Sequence, residues 1–188
     1  QALLRSKVLN RKQFKSLTAS WGEQRELREV MSFLHGLGIS ASYAKKIHDE
    51  YGLSSIATIQ DNPYRLTEVA GIGFLTADGI ARRLGFDENS PERAAAGLLY
   101  MLDQQALNGH TCYPEPELSG QTSSELRIHP DVIAGALQQL RRDRLVKAME
   151  PEEGNQQPTL IARPRFYYAE QRIAENFTRI LNTKGFTD

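Results

Sequence analysis

The sequence predicts a mainly α-helical protein in two modules, a tandem pair of helical hairpins followed by a smaller α+β module. Two observations predict it. A glycine-centred turn, Gly71-Ile72-Gly73, sits between apolar helical patterns, and a second copy stands 33 positions earlier at Gly38-Ile39-Ser40. After Gly109 the pattern changes to short extended pieces broken by prolines, with one strongly amphipathic helix among them.

The bulk properties set limits. A chain of 188 residues holds one large domain or two small ones. Its 40% hydrophobic and 24% charged residues place it among soluble globular proteins. No run of 18 apolar residues predicts a membrane span, and no signal peptide opens the chain. The single Cys112 excludes an internal disulfide framework, so a cytoplasmic location is expected. Zero net charge excludes nucleic-acid binding by bulk charge alone. Yet Arg5, Lys7, Arg11, Lys12 and Lys15 all precede the first acid, Glu23. That run reads either as a solvated helix face or as a phosphate-contacting stripe.

Residues 1–20 carry Leu3, Leu4, Val8, Phe14 and Leu17 at loose helical spacing, and the opening without methionine reads as the middle of a longer protein. Trp21 to His35 is a firmer helix, with Leu27, Val30, Met31 and Leu34 at i, i+3, i+4 and i+7. The first glycine turn comes next, then a helix from Ala41 to Tyr51. Ile56 and Ile59 fit a short connecting helix. Asn62-Pro63 is a helix start, with Asn at the N-cap and Pro in the first turn. Tyr64, Leu66 and Val69 lead into the second turn, and a helix from about Leu75 to Leu84 succeeds it, with Ala77, Ile80, Ala81 and Leu84 on one face. Gly85 to Asn89 is a loop. Ser90-Pro91 opens a helix to about Leu107, with Ala95, Leu98, Leu99, Leu102 and Ala106 inward.

His110 to Tyr113 is an extended piece stopped by Pro114 and Pro116, and Gly120 to Glu125 reads as a polar loop. His129-Pro130 opens a helix whose core stripe is Val132, Ile133, Ala136, Leu137 and Leu140. Its outer face carries Gln138, Gln139, Arg141, Arg142 and Arg144. Leu145 to Met149 and Thr159 to Ala162 read as strands joined by a loop from Pro151 to Pro158, too long for a tight hairpin turn. Helix, helix, hairpin is the order of a winged-helix module. From Tyr167 to about Thr183 a last helix lines up Ala169, Ile173, Phe177, Ile180 and Leu181, and it either packs back or leads toward a further domain. The boundary falls between Leu84 and Ser90. Residues 1–86 form the tandem helix-hairpin-helix domain, 90–166 the winged-helix-like domain, and 167–188 the tail helix.

The hairpins carry the chemistry. Two glycines around one apolar residue make a tight turn where positive φ costs nothing and the backbone is open to close approach. Amides of such a turn, followed directly by a helix N-terminus, form an anion site. The pattern resembles a helix-hairpin-helix, which grips a phosphate without reading bases. The repeat strengthens the reading. In the same register Ala44 lies on Ala77, Ile47 on Ile80, Tyr51 on Leu84 and Gly52 on Gly85. Ser40 replaces the second glycine, where serine can cap the following helix. The candidate backbone-binding residues are Gly38, Ile39, Ser40, Gly71, Ile72 and Gly73, with Lys45, Lys46, Arg82 and Arg83 as electrostatic support. The competing reading of each hairpin is a structural corner that packs helices and holds no ligand.

Several strings together resemble one family: Trp21-Gly22-Glu23-Gln24-Arg25, Asn62-Pro63-Tyr64-Arg65-Leu66, Gly71-Ile72-Gly73-Phe74, Thr76-Ala77-Asp78 and Gly109-His110-Thr111. The whole chain resembles the N-terminal region of RecD-like DNA helicases, the RecD/TraA type also labelled exodeoxyribonuclease V alpha-subunit. The resemblance implies a superfamily 1 motor after the tail helix, moving 5′ to 3′ on single-stranded DNA with ATP and magnesium. This chain has no Gly-x-x-x-x-Gly-Lys-Ser/Thr string, so the fragment alone is expected to hold neither cofactor and to be inactive as an enzyme. Relatives carry a further Gly-Ile-Gly hairpin before the Trp helix, so this chain is expected to begin just past it. Two departures stand out: Leu75 where relatives often have Lys, and His129-Pro130 where they often have Asp-Pro.

The remaining candidates favour structural roles. His35, His48, His110 and His129 lack metal-ligand spacing and fit surface or capping positions. Cys112 fits a buried or edge thiol. Asp49 and Asp78 occupy different places in the two repeats and form no carboxylate pair. Trp21 and Tyr113 offer stacking surfaces for bases, but core or half-buried packing is the default. Glu150, Glu152 and Glu153 repel phosphate and favour a packing or protein-contact role for the winged-helix-like part. The resemblance implies a DNA-engaging accessory region, touching single-stranded or junction DNA in repair and recombination, and contacting the motor intramolecularly. The alternatives are a protein-interaction or autoregulatory module of the same helicase without DNA contact, or the tandem hairpin domain of an unrelated repair protein.

Overall fold

The computed structural model describes residues 10–38, 40–152 and 154–182. Leu3, Leu4, Arg5, Lys7, Val8, Ile39, Glu153 and Thr183 lie outside the described residues. The chain divides into two compact units, Gln1–Phe86 and Asp87–Asp188.

Among the described residues the first unit is built of helices and turns. Helix α1 (Arg11–Gly36) is one continuous helix, where the sequence suggests a firm helix only from Trp21. A capping box starts it: the Asn10 side chain accepts from the Gln13 amide at 2.8 Å, and Gln13 Oε1 accepts from the Asn10 amide at 3.0 Å. Val30 and Leu34 are buried as expected, with Leu27 and Met31 partly so. That face fixes the rotation of the whole helix. Trp21 therefore lands on the far side and is 67% exposed, not core or half-buried.

Helix α2 (Ala41–Tyr51) buries Ala44 and Ile47, and α3 (Ser55–Asp61) buries Ser55 and Ile59. Asn62 then caps a 3-10 helix (Pro63–Glu68), its side chain accepting from the Tyr64 amide at 3.0 Å. Helix α4 (Phe74–Arg83) buries Ala77, Ile80 and Ala81. The Tyr51 hydroxyl donates to the Arg65 carbonyl at 2.8 Å and so ties the end of α2 to the 3-10 turn. Burial, with Glu68 nearby, pushes its phenol above the usual tyrosine value.

The second unit runs α5 (Pro91–Leu107), β1 (Cys112–Pro114), α6 (Glu115–Leu126), α7 (Pro130–Arg142), β2 (Lys147–Met149), β3 (Leu160–Ala162) and α8 (Pro164–Asn182). Both strands pair antiparallel with β3 in the order β1-β3-β2, placing Cys112 and Lys147 on either side of Ala162. Ser90 caps α5, accepting from the Arg93 amide at 3.2 Å. Because α6 and α7 both pack on α5, its buried stripe is Ala94, Leu98, Met101 and Leu102. Ala95, Leu99 and Ala106, expected inward, are only partly buried.

The segment expected as a polar loop over 120–125 is helical. It lies inside α6, which begins with Pro114 at its N-cap and Pro116 in the first turn, where an amide is not needed. Only Leu118 and Thr122 are buried there. The Thr122 hydroxyl satisfies itself on the Leu118 carbonyl at 2.7 Å, which lets a polar residue face the core. Helix α7 buries Ile133, Ala136, Leu137 and Leu140 as its periodicity predicts. Helix α8 buries no residue: Ile173 is 51% and Leu181 82% exposed. Helix, strand, two helices and a β-hairpin complete the winged-helix order, with α6 as the element missing from the sequence reading.

Candidate nucleic-acid interface

The repeat read in the sequence exists in the backbone. Gly38 has φ +68° and Gly71 φ +86°, while the closing glycines Gly52 and Gly85 have φ +52° and +78°. These four positions require the left-handed region, which explains glycine at each. The second position of the turn is different. Gly73 has φ −91° and ψ 173°, and Ser40 has φ −66° and ψ 146°. Both are extended N-cap residues, open to any side chain, and a Cβ built on Gly73 meets nothing within 4 Å. The expectation of two positive-φ glycines per turn is thus corrected, and Ser40 is no defect. Nor does Ser40 cap α2: its hydroxyl lies 2.7 Å from that of Ser42, and its side chain makes no cap bond.

Helices α2 and α4 therefore both start without a side-chain cap. The first-turn amides of any helix lack intrahelical acceptors and carry the positive end of its dipole. Of the other helices, α1, α5 and α7 are capped by Asn10, Ser90 and His129, while α3 and α6 likewise make no side-chain cap bond.

Two of the four candidate cations do something the sequence did not announce. Lys46, on α2, donates to the Ala70 carbonyl at 3.0 Å, just before Gly71. Arg83, at the end of α4, donates to the Leu37 carbonyl, just before Gly38. Residues 37 and 70 are equivalent in the repeat. Each hairpin is thus held at the same carbonyl by a cation from the other copy. A Cβ on Gly71 would sit 2.8 Å from Lys46 Nζ, and one on Gly38 2.7 Å from Arg83 Nη1. Glycine there admits the clasp as well as the turn. Lys46 and Arg83 stay exposed, so each brings a charge to the rim of the opposite hairpin.

The other two cations differ. Arg82 Nε donates to Asp78 Oδ2 at 3.1 Å, and the Tyr64 hydroxyl donates to Asp78 Oδ1 at 2.9 Å. Lys45 is exposed and lines an open groove with Gln24, Leu27, His48 and Asp49. His48 is not a surface histidine as expected: its side chain is 16% exposed, with Nε2 3.7 Å from Glu26 Oε2 across α1 and α2. Ile72 is buried and donates its amide to the Val69 carbonyl at 3.0 Å, so it braces the turn from within. Ile39 lies outside the described residues. Leu75 is 67% exposed on the first turn of α4, an apolar side chain beside the turn.

In the second unit, Arg141 is turned back onto Glu115 and also lies 3.9 Å from Glu150. Gln139 donates to Asp143 at 2.9 Å and accepts from Arg142 at 2.8 Å. The outer face of α7 thus satisfies much of its own polarity. His129 accepts from the Asp131 amide at 3.3 Å and caps α7. Cys112 sits half-buried on the edge strand β1, and the Tyr113 hydroxyl accepts from Gln121 at 3.0 Å.

With this geometry in place, the family described as the ATP-dependent RecD2 DNA helicase HHH domain matches residues 23–112. An ATP-dependent RecD2 DNA helicase from Deinococcus radiodurans is 29% identical over 115 residues, which is 61% of this chain. The aligned part is 16% of that relative's length. Both matches agree with the RecD-like resemblance carried by the sequence strings, and the helix-hairpin-helix fold is the one the backbone displays. No described helix is long and apolar enough to cross a membrane.

Proposed function

We propose, taking residues 23–112 as a helix-hairpin-helix domain of the RecD2 type, that this chain is the DNA-engaging accessory region of a RecD-like helicase. It holds the DNA backbone without reading sequence. One observation carries the reading. Two hairpins in register each present an uncapped helix N-terminus beside a cation donated by the other copy. Amide dipoles and a nearby positive charge suit a phosphate oxygen and are indifferent to the base attached to it. ATP and magnesium belong to the motor of the full-length helicase. The glycine turns of this chain have no Gly-Lys-Ser/Thr continuation to hold a triphosphate. Motor contact, strand movement, repair and recombination are likewise assigned to the parent protein, in the cytoplasm.

A second reading, a protein-contact module, draws on the self-satisfied outer face of α7 and the unburied apolar face of α8. Fluorescence anisotropy with labelled single-stranded and duplex DNA separates the two. If two to four phosphates are held, affinity should fall roughly seven- to fiftyfold for single strands and roughly twelve- to 150-fold for duplex between 50 and 200 mM salt. A Gly73→Glu variant, at a position where a Cβ meets nothing within 4 Å, should weaken the binding through carboxylate repulsion. A folded wild type that binds neither DNA at low salt would leave the protein-contact reading in place.

A further inference from the structure

We infer that the outward face of α1 is a stacking site for single-stranded DNA, with Trp21 as the platform on which a base lies. The inference rests on the DNA-binding reading above but concerns a different surface.

Helix α1 advances about 100° per residue. Val30 and Leu34 point into the first unit, so the opposite face carries Phe14, Leu17, Trp21, Arg25 and Arg28 in a row. Leu17 is 46% and Trp21 67% exposed, and the Arg25 side chain is 73% exposed. Arg11 flanks the row on one side. Glu29 is the acid on that face, 3.3 Å from Arg25. Three arginines against one glutamate leave the face cationic in a chain of zero net charge, so charge complementarity selects a polyanion. Arg28 is steadied by donating to the Gln24 carbonyl at 3.1 Å, which holds its guanidinium along the same face.

An indole left in water on a cationic helix is poor packing but a good platform. Its flat face takes any unpaired base, and the arginines a turn or two away take the flanking phosphates. Paired bases hide their faces in the stack, so duplex DNA gains only the phosphate contacts. The same helix therefore adds a strand preference to the hairpins, which recognise backbone alone. The exposed face of α8 differs in kind: it too carries an aromatic, Phe177 at 63% exposed, but sets it among the exposed aliphatics Ile173, Ile180 and Leu181.

Trp21 is the chain's only tryptophan, so its fluorescence reports this site directly. Titrating the chain with oligo(dT) of about 15 nucleotides should quench the emission with the midpoint that anisotropy gives for the same oligonucleotide. Trp21→Ala should weaken oligo(dT) binding roughly five- to hundredfold and leave duplex affinity and the thermal midpoint unchanged. Trp21→Phe should recover part of the loss. Oligo(dT) binding by anisotropy with unchanged Trp21 emission, and with Trp21→Ala binding as wild type, would overturn this site while leaving the hairpin reading intact. A blue shift that grows with protein concentration and is insensitive to oligo(dT) would overturn it in favour of a second copy of the chain. Failure to bind oligo(dT) would overturn it too, and duplex binding in the same titration would show that the hairpins still act.

Discussion

Where the second repeat carries Asp78, the first carries Lys45; where the second carries Arg82, the first carries Asp49. The i, i+4 pair is kept and its sign reversed. In the second repeat the acid is buried and accepts from the Tyr64 hydroxyl at 2.9 Å and from Arg82 at 3.1 Å, and the Tyr64 ring stacks on Phe74 at 6.1 Å. In the first, Lys45 and Asp49 both face an open groove. The turn glycines agree in φ. The backbone needed for a hairpin has been kept twice, while the side chains behind it have separated into a welded copy and an open one. Shared geometry thus need not mean shared ligand strength.

The largest test of this difference is Asp78→Ala against Lys45→Ala. Removing Asp78 takes a buried carboxylate acceptor from the Tyr64 hydroxyl and should cost about 2 kcal/mol. Removing Lys45 uncovers solvent and should change stability by less than about 0.5 kcal/mol. Urea midpoints at constant m-value measure both. Equal losses would mean that the groove around Lys45 is as structural as the Asp78 network.

The clasp gives the next test, because it joins what the first comparison separates. Lys46→Gln and Arg83→Gln each remove one charge-assisted bond to a carbonyl. Both donors are exposed, so each change should cost about 0.5–1 kcal/mol. The diagnostic result is where the effect appears. Amide exchange should speed up at Ile72 in the Lys46→Gln variant and at Gly38 in the Arg83→Gln variant, each in the repeat that the substitution does not occupy. Loosening confined to the mutated helix would show that the hairpins stand independently.

These contrasts mark how much the sequence could show. Glycine at positive φ leaves a mark that survives duplication, so Gly38, Gly52, Gly71 and Gly85 made the repeat legible before any coordinate. The apolar stripes of α2, α4 and α7 were legible because each helix buries one face. The clasp was hidden because its cations occupy non-equivalent places: aligned by the repeat, Lys46 stands against Gly79 and Arg83 against Glu50. Helix α6 was hidden for another reason. It buries only Leu118 and Thr122, too few for a period among Gly120, Gln121, Ser123 and Ser124. Trp21 was misjudged because size favours burial on average, whereas its position on α1 was already settled by Val30 and Leu34. Long-range pairing and helix rotation are tertiary properties, and local pattern carries little of either.

The smallest expected effect makes the sharpest distinction between the hairpins. Ser40 and Gly73 occupy equivalent extended N-cap positions, neither with a side-chain cap bond. Exchanging them, as Ser40→Gly and Gly73→Ser, should alter stability by only a few tenths of a kcal/mol each. Any larger change in DNA affinity then reports close approach and not folding. A serine at 73 finds open space within the protein, so only an external group can object to it. If Gly73→Ser weakens binding while Ser40→Gly leaves it alone, a phosphate comes closer to the second hairpin than the first one's serine permits. If Ser40→Gly strengthens binding, the first hairpin already sits at the backbone and its serine holds the phosphate off. If neither moves it, the two hairpins touch DNA through their cations and not their turns, and Lys46 and Arg83 become the residues that set affinity as well as shape.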